Sequence, residues 1–358
     1  MSGANNNYNQ QAFFALVKAG LWEREVRLSP SDVIDFKEVL RIAEEQSVVG
    51  LVAAGIEKIE DVRVPQTDVL TIAGKALQIE QQNVAMNHFI AGVVPKMRNT
   101  GINPLLVKGQ GIAQCYERPL WRASGDVDFF FSKDEYNKAV DFFQDLNSNV
   151  VQNARYTKSF GVVIESWFVE LHGTLRNNLS SRMDREIDAV QEDTFRNAQF
   201  RVWKNGDTDV ILPRVDNDVF FVFVHFVRHF YKERATMRQL CDWCRLLWTY
   251  REEIDSELLA KRLEKAGLMS EWCAFAALVV DYLGMSSSAM PLYDNAECWH
   301  KKAEMILSYM LNSHTRKLKA IGQIFPSKTM KFLPSILFNV NGLKVKERLF
   351  GTRHRMNN

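Results

Sequence analysis

An α+β fold, with a small mixed sheet held between N-terminal and C-terminal helical segments, is predicted by three observations. Apolar residues recur at helical spacing through the first 75 or so positions. Between 76 and 213 the pattern changes to short apolar runs closed by glycine or a turn, as buried strands are. From 214 to 358 helical periodicity returns. The chain thus divides into a helical segment (1–75), an α+β core (76–213) and a C-terminal helical domain (214–358), with no internal repeat.

The elements follow in order. "SPSDVIDFKEVLRIAEEQSVVGLVAAGIEKI" offers Ser31 or Asp32 as an N-cap before a helical run. A longer helix, rich in Gln, Ala and Asn, is expected from Val69 to Asn99, ending before Gly101. "INPLLVKG" suits a buried strand and "GIAQCYER" a short helix. "GDVDFFF" reads as a strand, and "KDEYNKAVDFFQDL" as an amphipathic helix. "GVVIESWFVELHGTL" is one long β-rich run, and "QFRVWKNGDTDVILP" is a hairpin turning at Asn-Gly-Asp. Four further helical stretches follow, with loops around Ser286–Pro291 and Phe325–Pro326.

Composition narrows the function. Hydrophobic residues make up 46% of the 358 and charged residues 25%, enough apolar material for a sizeable core. The 45 Lys+Arg against 43 Asp+Glu leave a net charge of +2, a balance that argues against nucleic acid as the partner. The basic stretch "KVKERLFGTRHRMNN" reads as a terminus, not a binding arm. The first residues lack the basic-then-apolar layout of a signal peptide. The longest apolar run, "CAFAALVVDYLGM", is too short for a membrane span and is interrupted by Asp281. Five cysteines form no secreted framework, so a reducing cytoplasm is the expected location.

The chemistry gathers around "GDVDFFF". Residues two apart in a strand share a face, so Asp126 and Asp128 point together. Two carboxylates that close repel unless a cation stands between them, and hard oxygen donors suit magnesium. Glu170, in "WFVELHG", completes an acidic cluster if its strand lies alongside. Such a cluster can hold one or two ions for in-line displacement at phosphorus. In "VKGQG", Gly109 and Gly111 sit at a strand-to-helix turn where backbone N–H groups favour an anion. Lys108 and Arg122 can balance phosphate charge. His172 shares the face of Glu170, and both a site contact and a purely structural role stay open.

These residues, in the order "KG" turn, helix, "R-x-x-G-D-V-D" (Arg122, Gly125, Asp126, Asp128) and "V-E-L-H" (Glu170, His172), resemble the nucleotidyltransferase superfamily that includes DNA polymerase beta. The pattern is similar to a bacterial branch of that superfamily, and "HFVRHF…RQLCDWCRLL" extends the likeness to about residue 250. The resemblance implies two magnesium ions and a nucleoside triphosphate attacked at its α-phosphorus by an acceptor hydroxyl. It makes Asp126 and Asp128 metal ligands. Glu170 becomes the third carboxylate, on the metal or deprotonating the acceptor, and the Gly109 turn a triphosphate holder. One departure is that Gln110 follows Gly109, where the superfamily usually has a second glycine or a serine. The acceptor stays open between a small molecule, a sugar and a protein side chain. Two rivals also remain: a nucleotide-binding scaffold without turnover, and a metal-dependent phosphohydrolase.

Other candidates read as structural. His225 and His229 are one helical turn apart in an apolar stretch without a third zinc ligand, as in a packed helix. Cys241 and Cys244 lack a second pair. Arg238 and Asp242, at i and i+4, are expected to form an internal ion pair, although the resemblance also allows them to line an acceptor pocket.

Overall fold

The computed structural model describes residues 2–28, 34–146, 150–154, 158–233, 235–311, 321 and 323–326. Ser31, Asp32 and the basic stretch from 344 lie outside the described residues. The first helices are α1 (Ser2–Trp22), α2 (Phe36–Glu45) and α3 (Val49–Ile56). Asp35 caps α2, its carboxylate accepting from the backbone N–H groups of Lys37 and Glu38. The helix expected from Val69 begins three residues earlier, as α4 (Gln66–Asn99), with Pro65 just before it.

The α+β core contains β1 (Leu105–Val107), α5 (Gly109–Ala113), β2 (Asp126–Phe130), α6 (Tyr136–Leu146), β3 (Val150–Ala154), β4 (Ser159–Ile164), β5 (Trp167–His172), α7 (Ser181–Asn197), β6 (Phe200–Asn205) and β7 (Thr208–Pro213). The seven strands form one sheet in the order β3-β4-β5-β2-β1-β7-β6. β2 pairs parallel with β5 and β1 parallel with β7, and the remaining pairs are antiparallel, so the sheet is mixed. The single β run expected at "GVVIESWFVELHGTL" is a hairpin. It turns at Glu165, whose φ of 56° is the left-handed geometry of a tight turn. β3 and α7 were not read from the sequence.

α8 (Val215–Lys232), α9 (Met237–Thr249), α10 (Ser256–Ala266), α11 (Met269–Leu283) and α12 (Glu297–Leu311) complete the chain. α10 and α11 break at Gly267, which closes α10 at φ 73°. No helix among the described residues is long and apolar enough to cross a membrane.

Two cores fix the architecture. One face of the sheet, through Val127, Phe129, Val169 and Leu171, packs on Ile90 and Met97 of α4 and Phe143 of α6. The alternation of β2 leaves Asp126, Asp128 and Phe130 on the opposite face. The second core joins the two ends of the chain. Phe13 and Leu16 of α1, Val39 of α2 and Val52 of α3 belong to the same cluster as Phe223, Trp243 and Trp272. The helices on either side of the sheet in sequence therefore pack against each other in space.

The crossing of α1 and α3 brings backbone against backbone. A Cβ on Gly20 would lie 2.0 Å from the Leu51 carbonyl oxygen, and one on Gly55 would lie 2.1 Å from that of Leu16. Neither contact can be relieved by a side-chain rotation. Overpacking typically costs about 1–3 kcal/mol, more than the roughly 1 kcal/mol an alanine gains in helix propensity. Gly20→Ala and Gly55→Ala are each expected to lower the urea midpoint. An unchanged midpoint in both would show that the two helices separate without cost.

Candidate active site

Register places the acidic residues. Asp128 stands opposite Glu170 across the parallel β2–β5 pair, and Phe130 opposite His172. Strand alternation then carries Asp126, Asp128, Glu170 and His172 to one face. On the other side of β2, Val107 pairs with Asp128, so the chain leaves β1 with Lys108 beside the same carboxylate. Lys108 has φ 60° and ψ −147°, a conformation that costs a non-glycine residue on the order of 1–3 kcal/mol. That backbone twist lets its Nζ donate to Asp128 Oδ1 at 3.0 Å.

The two aspartates have different surroundings. Asp128 Oδ1 accepts from Lys108 and also lies 2.7 Å from His172 Nε2. Burial pushes the Asp128 pKa up, but Lys108 and His172 outweigh burial and hold it well below the usual carboxylate range. The Asp126 carboxylate makes no hydrogen bond to any described residue, although it is largely buried. The Asp128 charge, and then burial, push its pKa upward. Burial disfavours the Lys108 ammonium, yet Asp128, Glu170 and Asp126 together raise its pKa. Glu170 accepts from Ser159 Oγ at 2.8 Å through Oε1, and its Oε2 lies 3.8 Å from His172 Nε2. One donor atom each from Asp128, Glu170 and His172 falls within 4.8 Å of the others.

The donor set fits a hard divalent cation. A mostly buried carboxylate with no hydrogen bond, beside a second carboxylate, is stabilised by an added positive charge. The carboxylate oxygens suit magnesium better than a softer metal. His172 Nε2 faces the Asp128 carboxylate and so donates its proton there, which makes it a second-layer partner of the oxygen it holds.

The glycine turn is built from packing contacts. Gly109 has φ 42°, and Gly111 lies so close to Leu212 of β7 that a Cβ there would meet it at 2.9 Å. Gln110, the departure from the superfamily pattern, is buried and donates to Asn83 Oδ1 of α4 at 2.7 Å. Asn83 in turn donates to the carbonyls of Leu120 and Arg122. Gly125 is exposed immediately before Asp126, with open space around it.

Arg122, expected to balance phosphate charge, is bound to protein. Its Nε and Nη2 donate to both oxygens of Asp242, at 2.8 and 2.6 Å, and its Nη1 donates to Ser124 Oγ. Tyr116 OH donates to the same Asp242 carboxylate at 2.7 Å. The i, i+4 ion pair expected between Arg238 and Asp242 is therefore replaced by a long-range one, because the Asp242 fork is filled by Arg122. Arg238 donates to the carbonyl of Ala123 instead. Its buried Nε has no partner, and burial, with Arg122 close by, lowers its pKa. The loop that delivers Asp126 is thus gripped from α4 by Asn83 and from α9 by Asp242 and Arg238.

A cleft of about 230 Å³ lies between the sheet and α8–α9. Lys108, Asp126, Asp128, Glu170 and His172 line one wall, and His225, Arg228, His229 and Arg238 line the other. Sequence reasoning did not name Arg228 and left Arg238 between an internal ion pair and the lining of an acceptor pocket; the helical stretch carrying both was the only signal. His225 and His229 are not packed against apolar neighbours alone but sit with their Nε2 atoms 3.0 Å apart in this wall. Cys241 and Cys244 are buried, and burial pushes the Cys244 thiol up to about 12, so neither is poised to bind a metal.

A family model described as an uncharacterised nucleotidyltransferase matches residues 32–284. No curated protein and no solved structure matches the chain.

The Arg122–Asp242 pair yields a test of the clamp. Removing one partner of a buried ion pair costs about 3–5 kcal/mol, whereas replacing both by apolar residues is often close to neutral. Arg122→Ala is expected to fall in that range by urea denaturation, and Arg122→Met/Asp242→Leu to recover most of the loss. If Arg122→Ala melts like the native chain, the clamp does not hold the loop.

Proposed function

The chain belongs to the uncharacterised nucleotidyltransferase family, and we propose that it moves a nucleoside monophosphate from a triphosphate to an acceptor hydroxyl, releasing pyrophosphate. The observation that carries this reading is the Asp126 carboxylate, mostly buried and without a hydrogen bond beside Asp128. Asp126, Asp128 and Glu170 would hold magnesium, with room in the donor set for two ions. Bound there, magnesium would neutralise phosphate charge and acidify the acceptor hydroxyl.

The chain's own groups do the rest. Lys108, which donates to Asp128 on the sheet wall of the cleft, would be placed to bind a phosphate oxygen of the triphosphate. Arg228 and the open Nη2 of Arg238 face the phosphates from the helical wall, and the Gly109 turn borders them from the sheet side. Arg122 acts at one remove, fixing the loop before Asp126 through Asp242. His172 would hold one oxygen of Asp128 in place. Such positioning and charge neutralisation suit a displacement that needs little covalent help from protein. The acceptor is a small molecule, a sugar or a protein side chain; the balanced net charge speaks against nucleic acid.

One observation favours a second reading, a nucleotide-binding scaffold without turnover. Lys108 already pairs with Asp128 from within the protein, and His172 contacts the same oxygen. Calorimetry with each of the four nucleoside triphosphates, with and without magnesium, separates the cases. The transferase reading expects magnesium-dependent binding that Asp126→Asn/Asp128→Asn lowers at least about tenfold, the loss of one to two charge-assisted contacts. Binding indifferent to magnesium and to both substitutions would leave the scaffold. Phosphate release without any acceptor would instead indicate hydrolysis.

A further inference from the structure

The proposed transfer must dispose of the acceptor's hydroxyl proton, and the sheet-wall groups that could take it also serve the cation. Asp126, Asp128 and Glu170 are assigned to the cation, and His172 Nε2 is committed to Asp128. The helical wall carries a different array. His225 and His229 are one turn apart on α8, Glu233 follows as its C-cap residue, and all three line the cleft. His225 Nε2 lies 3.0 Å from His229 Nε2, and His229 Nδ1 lies 2.8 Å from Glu233 Oε2.

Tautomer logic gives this array a direction. A carboxylate at 2.8 Å holds a proton on His229 Nδ1, so in the ring's single-proton form Nε2 is an acceptor. The hydrogen bond to it must then be donated by His225 Nε2. That leaves the lone pair of His225 on Nδ1, an atom with no hydrogen-bond partner among the described residues. The inner end of the array is a base, and the outer end, Glu233, is partly exposed and also lies 3.5 Å from Arg228.

We infer that His225, His229 and Glu233 form a proton relay that carries the acceptor's hydroxyl proton from the cleft to solvent. The inference rests on the transferase reading. As the acceptor oxygen bonds to the α-phosphorus, the bond from that phosphorus to the bridging oxygen breaks, and pyrophosphate leaves with the electron pair. The hydroxyl proton passes to His225 Nδ1, the Nε2 proton of His225 to His229 Nε2, and the Nδ1 proton of His229 to Glu233, which yields it to water. Exchange with water restores the starting tautomers before the next turnover. Burial first, then Lys108 across the cleft, with smaller contributions from His229, Arg228 and His172, lower the His225 pKa well below its ordinary value. His225 is thereby kept neutral, as a base at this position must be.

Nitrogen NMR of the whole 358-residue chain, with ¹⁵N-labelled histidine and no nucleotide, tests the array by itself. The expected result is His225 as the Nε2–H tautomer, His229 as the Nδ1–H tautomer, and a Glu233→Gln change that shifts both rings. His225 protonated on Nδ1, or a response confined to His229, overturns the relay. Loss of both rings' shared proton signal on adding one equivalent of zinc overturns it in favour of a metal site. Kinetics follow pyrophosphate release from the magnesium–triphosphate complex, with a panel of simple alcohols and sugars as acceptor probes. His225→Gln should slow release by about 100-fold or more. Glu233→Gln should slow it less and move its pH profile, and His225→Gln should leave nucleotide affinity unchanged by calorimetry. Unchanged rates overturn the relay while the transferase reading stands. A native chain that binds no magnesium–triphosphate complex sinks the transferase reading and the relay's kinetic role together, and the NMR result then reports on the array alone.

Discussion

Two carboxylates on one face of a central strand set the terms for the rest of this molecule. Asp126 and Asp128 are two residues apart on β2, and charges held that close in a largely buried place cannot both stand uncompensated. The fold deals with one of them internally. β1 ends so that Lys108 reaches Asp128, and β5 is registered so that His172 reaches the same oxygen. The other is left without a hydrogen bond. That asymmetry distinguishes the cluster from an ion-pair network that is already complete.

Holding Asp126 in that state requires a rigid approach to β2. The loop from Leu120 to Gly125 has no regular structure beyond one short turn, and its order comes from its neighbours. Asn83 binds its carbonyls from α4, and Asp242 binds Arg122 from α9. α4 packs on the back of the sheet, while α9 belongs to the core shared by the N-terminal and C-terminal helices. Both cores therefore bear on the position of one aspartate. The same helical core sets α8 across from the sheet, and with it the cationic and imidazole groups of the opposite wall.

Several features were readable from residues alone because they depend on local periodicity. The shared face of Asp126 and Asp128 follows from the two-residue repeat of a strand, as does that of Glu170 and His172. The hairpin at Asn-Gly-Asp and most helices follow from turn chemistry and the 3.6-residue repeat. Other readings failed where a non-local partner prevailed. Arg238 and Asp242 have the spacing of an ion pair, but Arg122, 120 positions away from Asp242, presents a two-pronged fork that fills the carboxylate. Gln110 looked like a defect in a phosphate loop, and it is a buried anchor to α4. The single long β run at Gly161–Leu175 is two strands, because Glu165 adopts a turn conformation that its residue type does not advertise.

What the sequence determined by itself was the fold class, the family pattern and the residues that could carry negative charge to one face, since all three rest on short-range spacing. What only the tertiary structure decided was which charges are compensated and by whom. Asp128 became paired and Asp126 did not, Arg122 turned to protein, and His225 and His229 turned their shared nitrogens toward each other in the cleft wall. The physical reason is that desolvation and pairing energies depend on distances between side chains from elements far apart in the chain. Those distances are fixed by how the helices and the sheet pack, not by any spacing along the sequence.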